Sequence, residues 1–157
     1  MYGFYIDSPQ GKVMLNYRTI IGLAFLLTAT FGLNTRAFAQ TITTVAGTGT
    51  AGSSGDAGPA SSAQVNGPAN IYMDGSGNLY ITDHIGNQIR RIDAVTGIIT
   101  TVAGTGVAGP AGDGGLAVSA QLNNPNGVYV DDADNLYIAT LGDHRVRRID
   151  AATGIIT

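Results

Sequence analysis

Short apolar runs alternate with turn-forming residues over most of the chain. Runs such as IYM at 71–73, LYI at 79–81 and VYV at 128–130 combine Tyr, Ile and Val, which favour β-strands. The residues between the runs are rich in Gly, Asn and Asp, which favour tight turns. This pattern predicts an all-β protein made of many short strands.

The pattern repeats with a shift of 57 residues. RRIDAVTGIIT at 90–100 recurs as RRIDAATGIIT at 147–157, and the other matched blocks keep the same shift without a gap. The chain therefore holds two repeats, at about 42–98 and 99–157, and the last strand of the second is incomplete. Four strands are predicted in each repeat, at 69–74, 78–83, 89–93 and 98–104, then at 127–132, 135–140, 146–150 and from 155 onward.

Several of these strands are apolar on both sides, which is typical of sheets that are covered on both faces. A four-stranded sheet covered on both faces by similar sheets is a propeller blade. A β-sandwich does not require a gapless repeat, and a β-helix usually repeats over a shorter period. The sequence therefore favours β-propeller blades over these two alternatives.

The segment PNGVYVDDADNLYIATLGDHRVRRID at 125–150 resembles the NHL repeat in its Pro-x-Gly start, its Asn-Leu-Tyr turn and strand, and its His-Arg-x-Arg end. The first repeat is similar but departs from the pattern, with Asn70 in place of the starting glycine and Asn87-Gln88 in place of the His-Arg pair. The resemblance implies an exported bacterial protein with a β-propeller fold, most often of six blades.

Two blades cannot close a ring, because propellers use about four to eight. Two interpretations follow. The chain is a fragment of a longer protein, or three copies assemble as a homotrimer into one six-bladed ring. In the second case Ile42–Val45, which has the sequence of the missing last strand, completes the last blade of a neighbour.

The first 39 residues have the plan of a secretory signal peptide. Lys12 and Arg18 flank an apolar run at 19–33, and Ala37-Phe38-Ala39 offers small residues before a cleavage site. An uncleaved membrane anchor is the alternative, and translation from Met14 would give a segment of more usual length. We expect residues 40–157 to be exported, to the periplasm, the cell surface or the medium, with no membrane attachment after signal removal.

The composition of residues 40–157 excludes some classes of binding site. This part has no Lys, Glu, Trp or Cys, and its five Arg and ten Asp give a net charge of −5. A net acidic chain lacks the basic surface that nucleic acids require. Without cysteine there is no disulfide and no thiolate metal site.

Asp56 and Asp113 recur in the glycine-rich segments SGDAGPA and AGDGGLA. These segments lack the Lys-Ser/Thr of a phosphate-binding loop, so we expect each aspartate to accept hydrogen bonds from its own loop backbone. A ligand or calcium surface is the alternative. The turn at Asp74, Ser76 and Asn78 begins like a calcium loop but has Ile85 at the later ligand position, which favours plain turn chemistry.

Paired arginines at 90–91 and 147–148 recur with the repeat. Neighbours along a strand point to opposite faces, so one arginine of each pair is expected to find a partner between blades. Asp93 and Asp150 are the candidate partners in a structural ion pair.

A repeated binding face is the functional alternative, and it would contain Arg91 and Arg148. His144 matches the histidine of the NHL pattern, whereas His84 has no counterpart in the second repeat. The candidate interaction or loop residues are therefore Asp56, Asp113, Arg91, Arg148 and His144.

We expect a non-catalytic interaction scaffold that binds a protein or a small ligand through its loops. No catalytic residue and no cofactor is predicted, and nothing in the sequence supports calcium or another divalent metal. The alternative is part of a metal-dependent propeller enzyme of lyase or lactonase type, whose site would lie mostly in other blades. A sensor or adhesin domain is a third class.

Overall fold

A computed structural model describes residues 4–8, 11–15 and 41–157. Contacts divide the chain into two compact units, residues 1–41 and 42–157. In the first unit, strands β1 (Phe4–Ser8) and β2 (Gly11–Leu15) form an antiparallel two-stranded sheet. The apolar run at 19–33 lies outside the described residues, and the signal peptide remains a prediction. Among the described residues, no helix has the length and hydropathy needed to cross a membrane.

The second unit begins with a five-stranded antiparallel sheet, here called the first sheet. Its spatial order is β3-β7-β6-β5-β4, so that strands consecutive from β4 to β7 are neighbours. A 3₁₀ turn at Ala60–Ser62 follows β3. The strands are β3 (Gly58–Pro59), β4 (Pro68–Met73), β5 (Leu79–Asp83), β6 (Gln88–Ile92) and β7 (Ile98–Ala103).

A three-stranded antiparallel sheet, the second sheet, follows in the order β10-β9-β8. Isolated bridges join Leu116 to Ile155 and Ile149 of β10 to Ile156. Leu116 is equivalent to a residue of β3, and Ile155 and Ile156 are equivalent to residues of β7. A 3₁₀ turn at Ala117–Ser119 repeats the one before β4. The strands are β8 (Pro125–Val130), β9 (Leu136–Thr140) and β10 (Arg145–Ile149).

Each described strand from β4 to β10 lies within two residues of its predicted position, and the prediction of an all-β fold is confirmed for the residues that the structure describes. Neither sheet closes on itself within the part of the chain that the structure describes. The sequence boundary between repeats, at 98/99, falls inside β7, so the first sheet takes most of its last strand from the start of the second repeat.

Residues directly opposite each other on paired strands share a face of the sheet. We call the side that carries Ile81 in the first sheet and Ile138 in the second the leading face. The opposite side, which carries Tyr80 and Tyr137, is the trailing face. The register places alternate residues of every strand on these two faces.

The trailing face of the first sheet packs against the leading face of the second sheet. Tyr72, Tyr80 and Ile89 come from the first sheet. The leading face of the second sheet contributes Val128, Val130, Leu136, Ile138, Ile149 and Ile156. Burial of an aliphatic side chain of this size stabilises by about 1.5–3 kcal/mol, so this interface is the main core of the second unit.

A second, smaller core lies on the leading face of the first sheet. Ile81, Ile92 and Ile99 are buried there under the connection that precedes β4. Ala60 and Ala63 of that connection are buried in the same cluster. Outside this cover the leading face is open to solvent.

The segment Ile42–Val45 has no strand partner among the described residues. Ile42 is 99% exposed, whereas Ile99, which has the same sequence context one repeat later, is fully buried in β7. The role predicted for this segment, completion of a neighbour's sheet, stays a prediction.

Candidate functional site

A network of hydrogen bonds joins two turns at one end of the first sheet. Asp74 Oδ1 accepts the backbone N–H of Ser76 at 3.0 Å and of Asn78 at 2.8 Å, and its Oδ2 accepts the side-chain amide of Asn78 at 2.8 Å. Asn78 Oδ1 in turn accepts the N–H of Ala94, at 3.1 Å, in the turn after β6. These bonds account for the Asp-Ser-Asn spacing as turn chemistry. We call this arrangement the turn cluster.

The second sheet has an equivalent turn cluster. Asp131 Oδ1 accepts the N–H of Asn135 at 2.8 Å, and Asn135 Oδ1 accepts the N–H of Ala151 at 3.1 Å. Arg148 Nη2 donates to Asn135 Oδ1 at 2.7 Å, and the hydroxyl of Tyr137 donates to Asp131 at 3.2 Å. The turns at this end are therefore fixed by side chains in both repeats.

The more exposed arginine of each pair forms an ion pair with Asp93 or Asp150, the aspartates predicted for the arginine between the sheets. Arg91 lies 3.3 Å from Asp93, and Arg148 lies 3.1 Å from Asp150. Their side chains are 30% and 40% exposed, and such solvated pairs are worth about 0–1 kcal/mol. Both arginines stand on the trailing faces next to the turn clusters.

Hydrogen bonds hold the aspartates of these turns in the ionised form. The backbone N–H and hydroxyl of Thr96 lower the pKa of Asp93, and those of Thr153 lower the pKa of Asp150. Arg148 further lowers the pKa of Asp150. The turns thus carry negative charge across the neutral range.

The aspartates that follow the edge strands β4 and β8 have lowered pKa values as well. Burial alone would raise the pKa of Asp74, but the hydrogen bonds from Asn78 and Ser76 outweigh it. The side-chain amide of Asn135 is the main cause of the lowered pKa of Asp131. Both carboxylates are therefore occupied as acceptors of N–H groups.

The other arginine of each pair is buried on a leading face. Arg90 has no exposed side-chain surface, and its Nη2 lies 2.6 Å from Asp56 Oδ1. Its Nη1 donates to the carbonyl of Gln64 at 3.3 Å and lies 3.8 Å from Asp83. We call the Arg90–Asp56 pair, and its equivalent Arg147–Asp113, the arginine clamps.

The arginine clamps correct two predictions. Asp56 accepts from Arg90 and, at 3.0 Å, from the N–H of Thr101 in β7, not from its own loop. The buried arginine of each pair is partnered by Asp56 or Asp113, whereas Asp93 and Asp150 pair only with the more exposed arginines. The reason is that the connection before each sheet folds over the leading face, where a buried guanidinium requires a counter-charge.

The second arginine clamp has fewer carboxylates around its guanidinium than the first. Arg147 Nε donates to Asp113 Oδ1 at 2.7 Å, its Nη2 also contacts Asp113, and its Nη1 donates to the carbonyl of Gln121 at 2.7 Å. Arg145 lies 3.8 Å from the other oxygen of Asp113. Thr140 stands where the first repeat has Asp83, so this guanidinium meets one carboxylate instead of two.

Asp83 has no exposed side-chain surface, and its burial raises the pKa of the carboxyl group. The N–H of Asn66 at 2.7 Å and the hydroxyl of Ser53 at 2.9 Å donate to it, and together with Arg90 they reduce the rise without cancelling it. Asp83 thus joins the connection to the end of β5.

The glycine of each Gly-Asp pair has a steric role. Gly55 and Gly112 have φ angles of +91° and +109°. A Cβ atom would lie 2.7 Å from Ala63 Cα at the first position and 2.6 Å from Ala120 Cα at the second. Only glycine permits this close approach, which brings the following aspartate over the buried arginine.

The two histidines have different environments. His144 is exposed in the turn before β10 with φ +56°, and Asn87 holds the equivalent position with φ +52°. His84 instead lies between the repeats, with Nδ1 3.1 Å from the carbonyl of Pro125 and Nε2 3.2 Å from the amide of Asn124. His84 therefore has a packing role that the repeat pattern did not reveal.

The predicted interaction residues do not converge on one place. Arg91 and Arg148 belong to the turn clusters, whereas Asp56 and Asp113 lie in the arginine clamps and His144 is in a separate turn. In the described part of the chain, no group of three or more His, Cys, Asp or Glu side chains is placed to hold a metal ion.

Sequence reasoning missed Asp83 and Tyr72. The hydroxyl of Tyr72 donates to the carbonyl of Val130 at 2.9 Å and so joins the two sheets. Asp83 carried no distinct signal, because every residue at 82–89 differs from its equivalent at 139–146.

No family model matches the chain. Over 87 residues, or 55% of its length, the chain is 32% identical to Protein SUPPRESSOR OF QUENCHING 1, chloroplastic, from Arabidopsis thaliana, and the match spans 8% of that protein. The fold is similar to that of a structural genomics protein of unknown function from Bacteroides thetaiotaomicron, with a TM-score of 0.51 and 26% identity. That match covers 57% of this chain and 22% of the other.

A second similar structure, also from Bacteroides thetaiotaomicron, is described as "Putative phosphatase". Its TM-score is 0.50 at 20% identity, and the match covers 67% of this chain and 25% of that chain. This likeness concerns the fold alone. The chain thus spans a quarter or less of each of these proteins.

Proposed function

We propose that residues 42–157 are a segment of an exported NHL-type β-propeller that serves as a non-catalytic interaction scaffold. Each sheet is one blade, and the turns at the ends of the stacked blades bind a protein or a small ligand. The observation that carries the proposal is the packing of the trailing face of the first sheet against the leading face of the second sheet. The same packing operation, applied again, adds a further blade of the same kind.

The turn clusters indicate at which end of the sheets the ligand binds. Their side-chain hydrogen bonds fix the turns before any ligand arrives, and rigid loops on a regular scaffold are common binding sites. Arg91 and Arg148 offer half-exposed cations at equivalent positions, next to aspartates that stay ionised. Two equivalent polar surfaces side by side suit a ligand that spans neighbouring blades.

The similar proteins agree with a modular role. The matched portion is a small part of each, as expected for a unit that recurs within larger architectures. A homotrimeric ring and a longer chain with more blades both place the turn clusters on one rim. Export follows from the predicted signal peptide at 1–39.

The proposal is tested by capture from the exported fraction of the source cells, with the immobilised 157-residue chain as bait. The double variant Arg91→Gln/Arg148→Gln changes the turn clusters, whereas His144→Asn changes the opposite end and keeps a residue that tolerates the left-handed backbone of that turn. We expect a bound component that is retained by His144→Asn and lost by the double variant. The absence of any bound component, or equal capture by both variants, contradicts the proposal, as does lactone hydrolysis that disappears with a chelator.

A further inference from the structure

The leading face of the first sheet exposes apolar side chains that are buried at the equivalent positions of the second sheet. Ile71 and Met73 are 63% and 62% exposed, whereas Val128 and Val130, one repeat later, are 9% and 3% exposed. All four side chains lie on leading faces, because each is paired across the strands with a leading-face residue. The difference arises because a trailing face covers only the second pair.

The trailing face of the second sheet shows the reverse difference. Val146 is 73% exposed, whereas Ile89 at the equivalent position of the first sheet is fully buried. Tyr129 is 52% exposed, whereas its equivalent Tyr72 is half-buried against the second sheet. Exposed apolar patches of this kind mark interaction surfaces.

Both exposed faces carry concave surfaces. A cavity of about 560 Å³ on the first sheet is lined by Val45, Met73, Leu79 and Ile92, among others. A second cavity, of about 270 Å³, is lined by Tyr129, Tyr137 and Val146 of the trailing face of the second sheet, with further residues of β8 and β9 and Asn70 of β4. Each face therefore has room for side chains of a partner sheet.

We propose that the leading face of one molecule binds the trailing face of a second copy of this chain, in the arrangement that joins the two sheets within one molecule. The chain itself supplies the argument for this occupant. Its two exposed faces are equivalent, residue by residue, to the two faces that it buries against each other. This inference depends on the sheet faces and not on ligand binding by the turns, so either proposal can fail alone.

The internal interface predicts specific contacts between copies. Tyr72 donates its hydroxyl to the carbonyl of Val130, so Tyr129 would donate to the carbonyl of Met73 in the second copy. Val146 would take the buried position of Ile89, and Met73 that of Val130. Association therefore covers the exposed apolar side chains with the partners that their sequence equivalents already have.

The segment Thr44–Ala46 extends this interface. It has the sequence of Thr101–Ala103 in β7, where Thr101 pairs with Arg90 and Ala103 pairs with Ile89. In the second sheet the equivalent positions on β10 are Arg147 and Val146.

Strand addition follows from the same equivalence. In the described structure, pairing along β10 extends to Thr157, whose N–H and carbonyl bond to Arg148. The segment Thr44–Ala46 of a second copy, docked as proposed, would lie beside Thr157 and pair with β10, as β7 pairs with β6. This pairing uses the backbone groups of a sheet edge, a common mode of association.

The proposed interface joins two different surfaces, so it is heterologous, and it builds a closed ring or a chain of copies. This property permits a sharp test. A Met73→Asp variant loses only the leading face, and a Val146→Asp variant loses only the trailing face. Each substitution would place an unpaired carboxylate in an apolar interface, which is costly.

The experiment measures the mass of the 157-residue chain in solution by sedimentation over a range of concentrations. We expect the unaltered chain to associate, and each single variant to associate about a hundredfold or more less tightly. An equimolar mixture of the two variants retains one intact interface, and we expect it to form a one-to-one dimer and nothing larger. Val95→Asp is the matched control, because Val95 is 94% exposed in a turn outside both faces, and it should associate like the unaltered chain.

Circular dichroism of each variant shows whether the sheets remain folded, and both substituted side chains are exposed in the single molecule. A chain that stays monomeric at all concentrations overturns the proposal. So does a mixture that stays monomeric, or an association that only one of the two variants weakens, since that would indicate a symmetric contact. Tyr129→Phe provides a finer check, because a loss of affinity there reports the hydroxyl contact with Met73.

Discussion

The two repeats align without a gap, yet equivalent side chains have opposite environments. Ile89 is fully buried and Val146 is 73% exposed, although both stand on trailing faces near the start of equivalent strands. Met73 is exposed and Val130 is buried, although they are the last residues of the equivalent strands β4 and β8. The environment of a residue in this protein depends on which sheet lies next to it and not on the residue alone.

The polar positions differ in a second way. Both arginine clamps join a buried guanidinium to an aspartate of the preceding connection, but only the first also faces the buried carboxylate of Asp83. In the second repeat Thr140 takes that position, and a new carboxylate, Asp143, stands where the first repeat has Gly86. Its oxygens are buried without a hydrogen-bond partner among the described residues. The clamps are therefore equivalent in geometry and unequal in charge.

Removal of the buried arginines should show the largest difference between the repeats. Arg90→Met leaves the buried carboxylate of Asp83 without its guanidinium, and we expect a loss of about 3–5 kcal/mol in the free energy of unfolding. Arg147→Met leaves only Asp113, which is 48% exposed and can be hydrated, so we expect a loss of about 1–3 kcal/mol. Urea denaturation measures both values. Equal losses would mean that Asp83 contributes nothing to the difference.

Truncation of the equivalent trailing-face residues compares the buried and the exposed position directly. Ile89→Ala should cost about 2–5 kcal/mol, because it opens a cavity between the two sheets. Val146→Ala should change stability by less than about 0.5 kcal/mol, because the side chain is mostly in water. The comparison is made by thermal or urea unfolding at concentrations where sedimentation shows single molecules. A large cost at Val146 under those conditions would show that its surroundings in solution differ from those described.

Acid should reveal the smallest difference. The pKa values of Asp93 and Asp150 are lowered in the folded state, so the stability that they contribute is present above the unfolded value of 3.8 and is lost as the pH falls through the folded values. The pKa of Asp83 is raised, so its contribution is full below 3.8 and is lost as the pH rises through the folded value. Asp83 therefore opposes acid unfolding, and it does so in the first repeat alone.

Melting temperatures between neutral pH and pH values below 3.8 measure these opposing contributions. We expect a flatter acid dependence in Asp93→Asn/Asp150→Asn, and a steeper one in Asp83→Thr, which gives the first repeat the residue of the second. A variant Asp83→Thr with the acid dependence of the unaltered chain would contradict the raised pKa. Val95→Ala, at an exposed position with no ionisable group, is the control for both.

The strands were predictable because their signals are local. Apolar runs of three or four residues between Gly, Asn and Asp turns mark β4, β5, β8 and β9, and the gapless repeat fixes the equivalence of all the strands. A propeller ring needs more sheets than the two that the structure describes in residues 42–157. The structure therefore shows stacked antiparallel sheets, and the ring is a proposal. The ion pair of Arg91 with Asp93 is also local, because the two residues are two apart in the sequence, but the sequence assigned Asp93 to the arginine between the sheets.

The arginine clamps were not predictable in this way. Asp56 is 34 residues from Arg90 in the sequence, and the path of the connection between them depends on close contacts such as that of Gly55 with Ala63. Each apolar pattern shows that both faces of a sheet need cover but does not show which segment covers them. The sequence therefore predicted that Asp56 and Asp113 cap their own loops, whereas their partners are the buried arginines of the sheet that the loop covers.

The boundary between the repeats falls inside β7. Most of the last strand of the first sheet therefore belongs to the second 57-residue repeat. A gene duplication of 57 codons, begun anywhere in the repeats, therefore inserts one more sheet with one leading and one trailing face. The insertion creates no new kind of surface at either end and leaves every internal junction of the same type. Unequal crossing-over between neighbouring units would thus lengthen or shorten such a gene in steps of one whole sheet.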